Sequence, residues 1–125
     1  MNEIEKLLQE MADHIHDVIT ISLVGQDGLI IAEYINKEHI SSMNTEFTAA
    51  TVTTVMLKLT DVVSGVNLGK MVDNLLSTED AHFLTKYIGD GSAFLCIVAK
   101  RGANLGAMRY VSKVYAQKLW DFLPH

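Results

Sequence analysis

Apolar residues fall at Ile4, Leu7, Leu8, Met11 and Ile15, the i, i+3, i+4, i+7 spacing that gives a helix one buried face. Glu3, Glu5, Lys6, Gln9 and Glu10 occupy the opposite side, so the spacing predicts an amphipathic helix over 3–15. The pattern then changes. Residues 18–24, VITISLV, are rich in β-branched side chains and partly alternating, and residues 29–34 form a second such run. Gln26-Asp27-Gly28 lies between them, and two apolar runs around an Asp-Gly turn predict a β-hairpin.

Residues 45–66 read as a second helix. One stripe, Val52, Val55, Met56, Leu59, Val62, Val63 and Val66, is expected to face a sheet. The other side carries Phe47, Ala50, Thr54 and Leu57, with Asp61 and Ser64 further along. Only Glu46, Lys58 and Asp61 are charged in this segment, fewer than a fully wetted helix face normally carries. Small and threonine-rich positions let another backbone come close. Both sides of this helix are therefore expected to be covered, one of them by a second chain.

Two further strands are predicted at 71–77 and 81–88, joined tightly by Thr78-Glu79-Asp80. Gly89-Asp90-Gly91 turns the chain into 93–99, AFLCIVA, which is apolar without alternation and should lie at the centre of the sheet. Asn104 can cap a last helix whose inner face runs through Leu105, Met108, Val111, Ser112, Tyr115, Leu119 and Phe122. The order α-β-β-α-β-β-β-α, with short turns inside each strand group, predicts an α/β protein of the α+β type. Its core is one five-stranded antiparallel sheet with helices on both faces.

Composition narrows the functional classes. A chain of 125 residues can bury a core without disulfides, and its single proline, Pro124, leaves no proline-rich linker, so one domain over 1–125 is expected. A net charge of −5, with the ten Lys and Arg scattered, argues against nucleic acid as the partner. Lys100-Arg101 is the nearest thing to a basic patch and reads as a solvated loop. No apolar stretch is expected to reach the ~18 residues of a membrane span, and the N-terminus does not read as a signal peptide. With Cys96 as the lone cysteine, inside an apolar strand, a reducing cytoplasmic setting is expected.

Candidate chemistry is sparse. Gly65-Val66-Asn67-Leu68-Gly69-Lys70 lacks the spacing of a phosphate-binding loop and reads as a helix end with a glycine cap. His14 and His16 are the only close histidine pair and have no third ligand near in sequence, so no metal and no cofactor is expected. His82 reads as a surface residue on its strand, and His39 and His125 fall in a loop and the tail. Ser41 and Ser42 show no accompanying base and read as the approach to the helix, with Asn44 or Thr45 as its cap. The acids at 27, 73, 79, 80 and 90 fall in turns or on a strand and suggest no carboxylate pair. Arg101 and Arg109 could act in trans on a GTPase transition state, but read more simply as surface arginines.

Three short motifs stand in a telling order: Leu23-Val24-Gly25-Gln26-Asp27-Gly28-Leu29, Ile88-Gly89-Asp90-Gly91 and Ala103-Asn104-Leu105-Gly106. With the element order, they make the chain from Ile4 to Leu123 resemble the roadblock/dynein light chain family, in particular its prokaryotic branch. The resemblance implies a roadblock fold, related to profilin and longin domains, without catalytic residues. It also implies dimerisation through the third strand, 71–77, and the central helix, 45–65. Partner contacts are accordingly expected at Phe47, Ala50, Thr54, Leu57, Asp61, Met71, Asp73 and Leu75. Family members regulate or anchor small Ras-like GTPases, or scaffold motor and signalling complexes. The expectation is a homodimeric, non-enzymatic GTPase adaptor; the alternatives are a scaffold subunit pairing with another roadblock-like chain, and a PAS-like sensor with an internal cavity.

Overall fold

The computed structural model describes residues 2–39 and 44–125. It contains α1 (Glu3–Asp13), β1 (Val18–Gly25), β2 (Ile30–Ile35), α2 (Thr45–Val66), β3 (Asn74–Ser77), β4 (Ala81–Ile88), β5 (Ala93–Lys100) and α3 (Leu105–Phe122), with a single 3₁₀ turn at Lys37–His39. All four strand pairings are antiparallel, and the sheet order is β2-β1-β5-β4-β3. β5 is central, as its unbroken apolar run predicts, and every residue from Ala93 to Ala99 is buried.

The three helices start alike. The side chains of Asn2, Asn44 and Asn104 accept the backbone N–H of Glu5, Phe47 and Ala107 at 2.8, 3.0 and 2.9 Å. Each cap satisfies one of the amides that a helix N-terminus leaves unpaired. Asn104→Ala is expected to lower stability by about 1 kcal/mol, measured by urea denaturation; an unchanged midpoint would mean that water replaces the cap at no cost. In the first hairpin, Gly28 (φ +85) donates to the Gly25 carbonyl at 2.9 Å, and Leu29 donates to the Asp27 carboxylate at 3.0 Å. A Cβ on Gly28 would meet the Ala50 Cα at 3.5 Å, because α2 passes close over this turn.

The sheet separates two cores. One face buries Ile21, Leu23, Leu84, Ile88, Leu95 and Ile97 against α1 and α3, which contribute Leu8, Met11, Met108, Val111, Tyr115 and Leu119. On the other face Val24, Phe94, Cys96 and Val98 meet α2, through Ala49 and Met56, with Met71 of the following connector packed beside them. Phe122, expected on the inner face of α3, is instead half exposed, at the last residue of the helix, while Trp120 and Leu123 pack against the core.

The predicted sheet-facing stripe of α2 holds in part: Met56 is buried and Val52 and Leu59 pack against the sheet core. Ala49, Thr53 and Met56 are its buried positions, whereas Val55, Val62 and Val66, expected to face the sheet, are exposed. Threonine chemistry explains how one polar residue comes to face the sheet. Thr48, Thr51, Thr53 and Thr60 turn their hydroxyls onto the carbonyl four residues back, at 2.9, 2.9, 2.7 and 2.9 Å. A threonine whose hydroxyl is satisfied within its own helix can be buried as a small apolar group. Thr53 thereby takes a sheet-facing place that an apolar stripe assigns to valine. α2 is also long and apolar enough, by length and composition, to cross a membrane, contrary to expectation, because its valine, leucine, alanine and methionine residues outweigh its threonines and few charges. It ends on Asn67 in the left-handed region (φ +54), so asparagine rather than glycine supplies the cap.

Candidate functional site: the outer face of α2 and the edge of β3

Beyond its thin line of sheet contacts, α2 presents apolar side chains to solvent. Phe47 is 68% exposed, Leu57 54% and Val62 62%. By helix geometry, Phe47, Ala50, Thr54, Leu57 and Asp61 share one flank, and Val55, Val62 and Val66 share the other. The second flank adjoins half-buried Leu59, which packs with Phe83 against the same core cluster. Leu76 on β3 pairs with Phe83 in register, shares its sheet face and is 57% exposed. β3 is the sheet edge, so one side of its backbone ladder is open. An open edge beside so much exposed apolar surface marks a place where another chain can dock.

β3 is shorter than the 71–77 run predicts and begins at Asn74. The preceding residues are held by side chains rather than by a ladder: the Lys86 ammonium donates to the Val72 carbonyl at 3.2 Å, and the Arg109 guanidinium grips the Asp73 carboxylate at 3.1 and 3.4 Å. The expected contact residues fall in three places. Phe47, Ala50, Thr54, Leu57 and Asp61 are exposed on α2. Met71 is half-buried beside the α2 core cluster and lines a cavity together with Leu57. Asp73 is engaged by Arg109 from α3, and Leu75 points to the opposite sheet face, half-buried against the α1–α3 core. Val62 and Val66 are expected from sequence to face the sheet, and Leu76 is not singled out as a contact; an apolar residue in a helix or strand gives no sign of whether its own sheet covers it.

The other candidates resolve into structural roles. His82 is buried, contrary to expectation, because β4 is an interior strand and His82 lies on the α3 side with Leu84 and Ile88. Its Nδ1 lies 2.7 Å from the Ser77 hydroxyl and its Nε2 3.0 Å from the Arg101 carbonyl, so both ring nitrogens are satisfied. Arg101 donates to the Thr78 carbonyl at 2.8 Å, tying the β3–β4 turn to the loop after β5. His14 caps α1, and among the described residues no three His, Cys, Asp or Glu side chains gather as a metal site. Ser41 and Ser42 lie outside the described residues.

Burial pushes the Cys96 thiol up to about 12. In the folded state it stays protonated where the unfolded chain, with a pKa of 9.0, begins to ionise. Its contribution is therefore complete below pH 9.0 and is lost as pH rises towards 12. Cys96 is expected to resist thiol reagents at neutral pH and to react only on unfolding, read by mass spectrometry. Rapid labelling of the native protein would show that α2 opens readily from the sheet.

This geometry is that of a roadblock-fold module: a five-stranded sheet with α1 and α3 on one face and a long, outward-apolar α2 on the other. No known family's sequence profile matches the chain, and no curated protein does. Solved structures do match. A structure of MglB with a tetrameric arrangement superposes with a TM-score of 0.85 at 15% identity, over 95% of this chain and 89% of that one. A Roadblock/LC7 domain from Streptomyces avermitilis gives 0.81 at 13% identity, covering 97% and 98%. LokiProfilin1, solved in complex with rabbit actin, gives 0.60 at 18% identity, covering 98% of each chain. The chain thus has the roadblock fold, MglB-like in detail and related to that of profilin.

Proposed function

We propose that this chain is a single-domain, non-catalytic, cytoplasmic regulator or adaptor that forms a dimer and binds a small Ras-like GTPase. The observation that carries the reading is the uncovered apolar surface of α2 beside the open β3 edge. At 22 residues α2 spans about 33 Å, long enough to anchor an interface of roughly 800 Å² per partner. Pairing two copies about a two-fold axis would cover that surface and extend the sheet. The tetrameric arrangement of the MglB structure supports self-association of this fold. The GTPase part follows from the resemblance to the roadblock family.

The mechanism so proposed is positional. A dimer presents its two α2 helices and joined edges as one surface that can hold a partner's switch segment. Any effect on GTP hydrolysis then comes from ordering the partner's own catalytic groups. The test is sedimentation velocity of the purified chain, with capture from native lysate in the presence of a GTP analogue or GDP. A dimer that enriches a small GTPase only with the analogue supports the regulator reading. A strict monomer with no GTPase in either state defeats it. Because the open β3 edge does not by itself demand an identical partner, capture of a different roadblock-like chain would favour the scaffold reading.

A further inference from the structure

Under the C-terminal half of α2 lies a cavity of about 530 Å³, within the size range of small-molecule sites. Four separate segments build it: α2, the Gly69–Met71 connector, the β4–β5 turn with the flanking Tyr87 and Phe94, and Gln26 of the first hairpin. Gly69, Gly89 and Gly91 are among its lining residues. Phe94, 1% exposed, and the half-buried Tyr87 meet edge-to-face at 6.2 Å and form an aromatic floor. Leu57, Val63 and Met71 supply aliphatic walls.

The polar groups of the cavity are largely unspent. The Tyr87 hydroxyl receives only a 3.5 Å contact from Thr60, whose own hydroxyl donates to the Met56 carbonyl at 2.9 Å. The side chains of Gln26 and Ser64 form no hydrogen bond with another described residue. Lys70 and Asp90 both line the cavity, yet neither forms an ion pair among the described residues, with each other or elsewhere. Ser92 donates its hydroxyl and its backbone N–H to Asp90 and holds that carboxyl below the usual carboxylate range, so it is ionised at neutral pH. One cation and one anion, both solvent-exposed, thus stand at the rim of a cavity with an aromatic and aliphatic interior.

We infer that this cavity binds a free α-amino acid with a large apolar side chain. Its carboxylate would meet Lys70, its ammonium Asp90, and its side chain the Phe94–Tyr87 floor. A cation and an anion at one cavity match a zwitterion better than an ion of either sign, and the interior gives the apolar body its burial. The inference is independent of the GTPase reading. The site shares Leu57 and Met71 with the proposed partner surface, so its test leaves those two residues unchanged.

The experiment is calorimetric titration of the intact chain with L-phenylalanine, phenethylamine and 3-phenylpropionate, with amide NMR shifts followed at Gly69, Gly89 and Gly91. L-Phenylalanine is expected to bind saturably with a dissociation constant of about 1 mM or tighter, and each single-charge analogue about threefold or more weakly. Lys70→Ala should weaken L-phenylalanine and spare phenethylamine, whereas Asp90→Asn should weaken L-phenylalanine and spare 3-phenylpropionate. Equal binding of all three compounds, or shifts confined to residues elsewhere, would overturn the assignment. So would the absence of saturable binding at tens of millimolar, which would leave the cavity as space for a protein partner.

Discussion

Gly89→Ala is expected to destabilise the fold by about 2–5 kcal/mol, more than any surface change. Two costs combine. Gly89 sits at φ +56, in the left-handed region, where a side chain costs about 1–2 kcal/mol. A Cβ there would also fall inside the Trp120 indole, which lies directly on the glycine and is backed by the His125 ring at 4.0 Å. The ring must move or the β4–β5 turn must shift, and overpacking of this kind typically costs about 1–3 kcal/mol. Urea denaturation of the single and double mutants separates the two terms. In a Trp120→Ala background the added methyl should cost only the backbone part, because the two residues are in contact and their effects are not additive. A Gly89→Ala protein within 0.5 kcal/mol of the parent (roughly the scatter of surface substitutions) would show that the indole does not pack there in solution.

Leu57→Glu and Val62→Glu are each expected to weaken self-association by about a hundredfold or more. Both side chains are more than half exposed in the single chain, so neither change should disturb the fold. In the proposed dimer each carboxylate would be buried without a partner, and a broken buried charge pair or an orphaned charge costs about 3–5 kcal/mol. Sedimentation velocity over a concentration series reads the effect, and circular dichroism checks that the helices persist. Leu57 and Val62 lie on opposite flanks of α2, so the comparison carries further information. A dimer that survives Leu57→Glu but not Val62→Glu would move the interface to the flank beside Leu76 and β3. Survival of both would remove α2 from the interface.

Much of the fold was legible before the structure because its signals are local. The 22-residue span of α2, the Asp-Gly hairpin turn and the Asn104 cap depend on residues within a few positions of each other. The buried centre was legible for the same reason: only a strand covered on both faces tolerates seven consecutive apolar residues, as Ala93–Ala99 does. The candidate surface was legible in kind, since low charge and threonine richness mark α2 whatever it packs against.

Which way α2 turns was only partly legible. Apolar periodicity places Val52, Val55, Met56, Leu59, Val62, Val63 and Val66 on one stripe. Val52, Met56 and Leu59 pack on the sheet core, but Val55, Val62 and Val66 stay exposed while Ala49 and Thr53 are buried. A hydroxyl satisfied inside the helix lets Thr53 be buried there, which apolarity alone does not signal. The side-chain clamps on Val72 and Asp73 that delay β3 join residues 14 and 36 positions apart. Nor does the sequence around His82 show that an edge strand, and not solvent, lies beyond it. The amino-acid sequence by itself determined the elements, their order, their caps and turns, and the unusual apolarity of α2. Only the tertiary structure decided which apolar residues stay uncovered, where the cavity opens and which charges remain unpaired, because each depends on contacts between segments distant in the chain.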